Sequence, residues 1–233
     1  MISYFTKTNE DEKEINKSAS KSFILNQQPE SYRNVVVPKP WGFEFLCAED
    51  SEIATWFLSI GKGHSTSMHC HPNKRTVLVI LSGIALGRTL HGSMVLGPGK
   101  IVIYEPGVFH STKGVTKIEM VEIEYPNKKE DLLRLEDNYG REKMGYEGKN
   151  TMHSSCDYFY LDSLNPSFQQ PHYIISKSDV IKCGSINVVG ENKSGIVPNT
   201  CILEQEDIQL KGSSILNIRF PSKEKSHEYR KYI

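Results

Sequence analysis

From Val35 onward the apolar positions recur at the spacing of strands rather than helices. Short β-rich runs appear at Phe43–Cys47, Ile53–Ile60, Thr76–Leu81, Ile84–Arg88, Ser93–Leu96, Ile101–Tyr104 and Ile118–Tyr125, each bounded by Gly, Pro, Asn or Ser. Many short strands at this spacing predict an all-β sandwich or barrel, not βαβ units. Glycines mark turns at Ser82-Gly83, His91-Gly92 and Gly97-Pro98-Gly99. The charged segment 128–143 carries Leu132, Leu133 and Leu135, and predicts a short helix ending near Gly140. A second β-rich region follows, with runs at Tyr158–Leu161, His172–Ile175, Ile186–Val189, Cys201–Glu204 and Ile215–Phe220. It is either a small second module or a set of strands that extends the first sheet or covers an edge. Residues 1 to 33 are polar without sustained period, and read as a mobile arm with a strand near Phe23–Leu25. The expected division is an N-terminal arm (1–34), a β-barrel domain (35–148) and a β-rich extension (149–233).

Composition narrows the function classes. With 28 Lys+Arg against 28 Asp+Glu, the formal charge is zero, and no basic stripe tracks a phosphate backbone. Nucleic-acid binding is not expected. The N-terminus lacks the apolar core of a signal peptide, and no stretch reaches the ~18–20 apolar residues that span a bilayer. A soluble, cytoplasmic protein without membrane partners is therefore expected. The five cysteines are odd in number and widely spaced, without a Cys-x-x-Cys pair. They predict reduced, mostly buried thiols rather than a disulfide framework or thiolate zinc site.

The chemistry concentrates in histidines. In a strand, residues two apart project to one face, so His69 and His71 can offer their imidazoles to a single point while Cys70 points away. His110 follows the tight Pro106-Gly107 turn, which can return a strand beside the first pair. Three imidazoles suit a divalent transition metal and leave coordination positions open for substrate. One divalent ion is expected on His69, His71 and His110; Zn, Fe, Mn and Ni are not distinguished. His64, in the loop leading to this strand, is a candidate contact to substrate. Tyr104 is a candidate general acid or base if it points inward. Lys74, Arg75 and Arg88 can supply charge to an anionic substrate. Met120, Glu122 and Glu124 share one face of the last barrel strand, and Val121, Ile123 and Tyr125 the other. Glu122 is a catalytic candidate if the acidic face is the inner one.

These pieces resemble the two motifs of the cupin family. Gly63, His69, His71 and Gly83 match the first, and Gly99, Gly107 and His110 the second. Thr76 stands where the family has a glutamate, Glu105 where it has a proline, and Gly114 where it has an asparagine. The flanks Lys39-Pro40-Trp41-Gly42 and Arg134-Leu135-Glu136-Asp137-Asn138-Tyr139-Gly140-Arg141 are similar to those bracketing the cupin domain of type II mannose-6-phosphate isomerases. Arg134, Glu136, Asp137 and Arg141 are read as a surface ion-pair network. The resemblance covers about Pro38 to Arg141. It implies a double-stranded β-helix, a jelly-roll barrel, that pairs into a homodimer. It further implies a metal-dependent isomerase or epimerase acting on a sugar phosphate or nucleotide-linked sugar in carbohydrate metabolism. Two other readings use the same ligands: a three-histidine non-haem iron dioxygenase, and a non-catalytic metal- or sugar-binding cupin.

Overall fold

A computed structural model of the chain describes residues 2–18, 27–154, 160–162, 167–182, 184–189, 200–202, 207–209 and 215–220. It divides into two compact units, 1–160 and 161–233. The first contains β1 (Ile2–Phe5), α1 (Asn9–Ser18), β2 (Val35–Lys39), β3 (Gly42–Glu49), β4 (Ala54–Ile60), β5 (Met68–Cys70) and β6 (Arg75–Ser82). It continues with β7 (Ala85–Thr89), β8 (Gly92–Leu96), β9 (Ile101–Tyr104), β10 (His110–Gly114), β11 (Ile118–Tyr125), β12 (Leu133–Glu136) and β13 (His153–Ser154).

These strands form two sheets, ordered β1-β9-β6-β11-β4-β3-β2-β13 and β12-β5-β10-β7-β8. From β4 to β12 the chain passes back and forth between the two sheets. Every pairing is antiparallel except β1 on β9. This is an all-β, double-stranded β-helix. The inner face follows from strand alternation. Leu58, Leu78, Ile80, Leu96, Val102 and Met120 form one cluster, and burying each such side chain contributes roughly 1.5–3 kcal/mol. Along β11 the inward positions then change from Met120 to Glu122 and Glu124, so the lumen runs from apolar to polar. Val121 and Ile123, on the opposite face, are also fully buried.

Two expectations change. Segment 128–143 is not a helix: it turns, then forms β12, whose Leu133 and Arg134 pair with Cys70 and His69. Pairing with an existing strand overrides the weak helical propensity of so short a segment. The polar N-terminus is not featureless either. Its β1 extends the large sheet, and α1 starts at a capping box, in which the Asp11 N–H donates to Thr8 Oγ1 (3.2 Å) and the Thr8 N–H to Asp11 Oδ2 (2.9 Å). Acidic residues Glu10, Asp11 and Glu12 fill its first turn, where the helix dipole favours them. The strand expected near Phe23–Leu25 lies outside the described residues.

The second unit contains β14 (Ser167–Gln170), β15 (Tyr173–Ser178), β16 (Val180–Ile181), β17 (Ile186–Val189), β18 (Thr200–Ile202), β19 (Ile208–Gln209) and β20 (Ile215–Arg219). Five strands form one antiparallel sheet, β14-β15-β20-β17-β18, and β16 pairs with β19. The Asn217 Nδ2 donates to Asn187 Oδ1 (2.7 Å) across this sheet, which satisfies two buried amides together. Of the run expected at Tyr158–Leu161, the described residues Tyr160 and Leu161 are not in a strand.

Candidate metal centre

The short strand β5 divides its side chains by alternation. Met68 and Cys70 sink into a small apolar cluster with Phe109 and Leu133, which turns His69 and His71 to the other face, toward the lumen. His110 opens β10, and its Cα is the register partner of His69. The turn before it is fixed by Gly107, which sits at φ +84, a conformation open to glycine but strained for other residues. Its N–H donates to the His71 carbonyl (2.8 Å), tying the third histidine's turn to the second.

The three rings lie close together, with centroids 5.2 Å apart for His69–His71, 4.6 Å for His69–His110 and 5.8 Å for His71–His110. Each Nδ1–H donates to a backbone carbonyl: His69 to Ser67 (2.8 Å), His71 to Asp131 (2.5 Å) and His110 to Val108 (2.9 Å). A ring nitrogen facing a carbonyl must carry the proton, so every Nε2 presents a lone pair. The Nε2 atoms of His71 and His110 are buried without a partner among the described residues.

Glu122 completes the group from the opposite sheet. Its Oε1 lies 3.9 Å from His71 Nε2. The donor atoms of His69, His71, His110 and Glu122 all fall within 4.8 Å of one another. Three imidazole nitrogens and one carboxylate oxygen fit a divalent metal, and two Nε2 atoms left without partners are what such an ion would satisfy. Burial, with smaller contributions from neighbouring positive charge, pushes His69 and His71 well below the usual histidine range, and His110 down to about 4. All three are then neutral at pH 7. Burial pushes Glu122 up to about 7, and the neighbouring Glu124 adds to the rise.

The expected fourth ligand position explains itself in the register. Thr76, on β6 where the motif has glutamate, is the Cα partner of Glu124 on β11, and Glu122 lies opposite Leu78. The carboxylate comes from the adjacent strand instead. Alternation alone left the inner face of β11 open because both of its faces are buried.

The other candidates are dispersed. Tyr104 faces inward and stacks on the His110 ring at 4.1 Å and 9°, and burial pushes its hydroxyl up, away from proton transfer near neutrality. Lys74 is buried, and its Nζ donates to Glu124 (2.6 Å). Arg75 pairs with Glu105 (2.8 Å) and Arg88 is exposed on β7. His64 is on the surface, with its Nδ1 3.2 Å from the Tyr139 hydroxyl. Neither arginine, nor His64, nor Lys74 lines the cavity above the histidines. That cavity leaves about 60 Å³ for water-sized molecules, and is lined by Lys39, Lys129, Arg134 and Arg141 against Glu44, Glu122 and Glu124.

The ion-pair network read as a surface feature is instead largely interior. Arg141 donates to Asp137 (2.7 Å) and Glu147 (2.7 Å) and is only 9% exposed. Lys39 bonds Glu147, and Lys129 lies 3.1 Å from Glu44 and 3.5 Å above the Trp56 ring. Burial raises the Glu44 carboxyl, but Lys129 and Lys39 outweigh it and hold it at about 2. Lys129 carried no local signal; only its contact with Trp56, Glu44 and Tyr146 gives it this place. Asp11 and Asp131 were also missed. The Asp11 carboxylate accepts the Phe109 N–H (3.0 Å) beside His110, and its Thr-x-x-Asp spacing was a legible capping signal. Asp131 holds His71 with its carbonyl and Asn73 with its carboxylate (2.8 Å to each nitrogen). Cys47 and Cys70 are free, buried thiols, raised well above the usual range by burial.

No family model and no curated protein matches this sequence. Solved structures do resemble it in part. An uncharacterized conserved protein with a double-stranded beta-helix domain from Klebsiella pneumoniae subsp. pneumoniae MGH 78578 is 19% identical over 40% of this chain and 79% of its own, with a TM-score of 0.37. DMSP lyase DddQ from Ruegeria pomeroyi DSS-3 is 18% identical over 39% and 50%, at 0.36. KdgF from Halomonas sp. is 10% identical over 44% and 96%, at 0.39. The likeness is one of fold. No helix among the described residues is long and apolar enough to cross a membrane.

Proposed function

We propose that the protein is a metal-dependent enzyme that moves a proton on a small polyoxygenated substrate, an isomerase or epimerase of a sugar phosphate or nucleotide-linked sugar. The observation that carries this is the convergence of three neutral, orientation-locked imidazoles and one carboxylate within 4.8 Å at the base of an open cavity. The sugar derives from the flanking likeness to type II mannose-6-phosphate isomerases. A divalent ion held by His69, His71, His110 and Glu122 supplies Lewis-acid polarisation of a substrate carbonyl or hydroxyl. The protein's own part is positional. Backbone carbonyls hold each ring in one tautomer, and Leu58, Leu78 and Met120 line the cavity with apolar surface beside the histidines. Before the ion binds, burial raises Glu122 toward neutrality; as a fourth ligand it gives that proton up. Lys74 engages Glu124, so that carboxylate serves as a partner to the lysine rather than as a free base.

Elemental analysis of the purified protein tests the ligand set. His69→Ala and His110→Ala should each lose most of the bound metal, whereas His91→Ala, on the exposed β7–β8 turn, should keep it. Stoichiometric metal in His69→Ala would refute the assignment. Zinc, manganese or nickel with solvent-proton exchange into a sugar phosphate supports the isomerase; iron with oxygen consumption would replace it by the dioxygenase.

A further inference from the structure

The cations that line the cavity are not equally engaged. Lys39 is bound by Glu147 and Glu44, Lys129 by Glu44, and Arg141 by Asp137 and Glu147. Arg134 differs. Its Nη1 donates to the neutral carbonyls of Met144 and Gly145 (2.8 Å to the latter), and the nearest carboxylate, Glu147 Oε1, is 3.9 Å from Nη2. Glu147 is itself already bonded by Lys39 and Arg141. The Arg134 Nε is buried without a partner among the described residues, in a side chain that is 95% buried. Buried donors in folded proteins are ordinarily satisfied, and a fixed guanidinium edge is the group best shaped for planar or tetrahedral oxyanions.

Its position matters as much as its chemistry. Arg134 is the Cα register partner of His69 on one side, and His69 is the partner of His110 on the other. Three consecutive cross-strand positions, on β12, β5 and β10, thus place one guanidinium and two imidazoles on the same face, each about 4.8 Å from the next strand. We infer that Arg134 anchors an oxyanion, a carboxylate or a phosphate group, carried by the substrate of the metal centre. This rests on the reading of the histidine cluster as a substrate-bearing metal site, and it gives that substrate a negative charge one strand away from the reacting end. A substrate uncharged at that end would leave the Nε without a partner.

Calorimetric titration of the metal-loaded full chain with inorganic phosphate, malonate and uncharged mannose tests it. At least one oxyanion should bind, and Arg134→Gln should weaken it about tenfold or more while metal content stays unchanged. Preference for phosphate identifies a phosphate ester, and preference for malonate a carboxylate. Should Arg134→Gln fail to fold, the unsubstituted protein carries the test: in 15N-arginine-labelled chain, one Nε–H resonance, missing from Arg134→Lys, should move with the same midpoint as the calorimetry. Equal affinity in Arg134→Gln, absence of any oxyanion binding to metal-loaded protein, or unmoved Nε–H resonances would each overturn the anchor. Metal content, measured on the same samples, separates this from failure of the metal centre: a chain that takes up no metal on loading yet binds phosphate through Arg134 sinks the metal reading and keeps the oxyanion site.

Discussion

Loading the centre with metal should release protons from one residue only, and the structure says how many. A ligand must be deprotonated before it binds an ion. His69, His71 and His110 are pushed below their ordinary range, His110 to about 4, so at pH 6 they are already neutral and have nothing to give. Glu122 is the opposite case, raised to about 7 by burial and by Glu124. At pH 6 about nine-tenths of it is protonated, so binding should release about 0.9 protons; at pH 8 only about a tenth remains to be displaced. The sign follows directly. Affinity is full above pH 7 and falls as pH drops, by about 1.4 kcal/mol per unit once Glu122 is protonated. Zinc titrated into metal-free protein in buffers of different ionisation heat gives the proton count at each pH. In Glu122→Gln the count at pH 6 should collapse toward zero, with weaker binding throughout. Release of two or more protons at pH 6 in the native chain would mean that the histidines start out charged, and the reasoning from burial would be wrong.

Other outcomes follow from the buried polar pairs. Lys74→Met leaves the Glu124 carboxylate without its cation in the barrel interior and should cost about 3–5 kcal/mol in urea unfolding. Adding Glu124→Gln should recover much of that loss, and a double substitution as unstable as the single would contradict it. Asp11→Ala removes both the α1 capping box and the acceptor of the Phe109 N–H, for about 2–3 kcal/mol. Lys13→Ala, an exposed change on the same helix, should by comparison stay within about 0.5 kcal/mol.

The barrel was legible because its strands declare themselves locally. Ile101–Tyr104 and Ile118–Tyr125 were readable to the residue, since turn residues bound each run and β-branched residues fill it. The meeting of His69, His71 and His110 was legible for a related reason: a two-residue spacing fixes a face, and a Pro-Gly turn reverses the chain. What stayed hidden depends on partners distant in sequence. Leu132, Leu133 and Leu135 among charges suit a helix edge as well as a strand, and only β5 beside them decides. Glu122 could not be assigned inward, because Val121 and Ile123 on the reverse face are just as buried. Arg134 and Arg141 look solvated in a run of charge, yet carbonyls, Asp137 and Glu147 hold them inside. The Thr8-x-x-Asp11 cap, by contrast, was there to be read.

His69 and His110 stand on β5 and β10 of the β12-β5-β10-β7-β8 sheet, with His71 just past the end of β5, whereas Glu122 stands on β11 in the eight-stranded one. An ion shared among them is a rivet through both walls, and stripping it unpins one wall from the other. Chelator treatment would therefore alter the mechanical integrity of the barrel along with its chemistry, and hydrogen exchange should quicken first along β5, β10 and β11. Any comparison of samples with unequal metal loading then compares two differently fastened molecules.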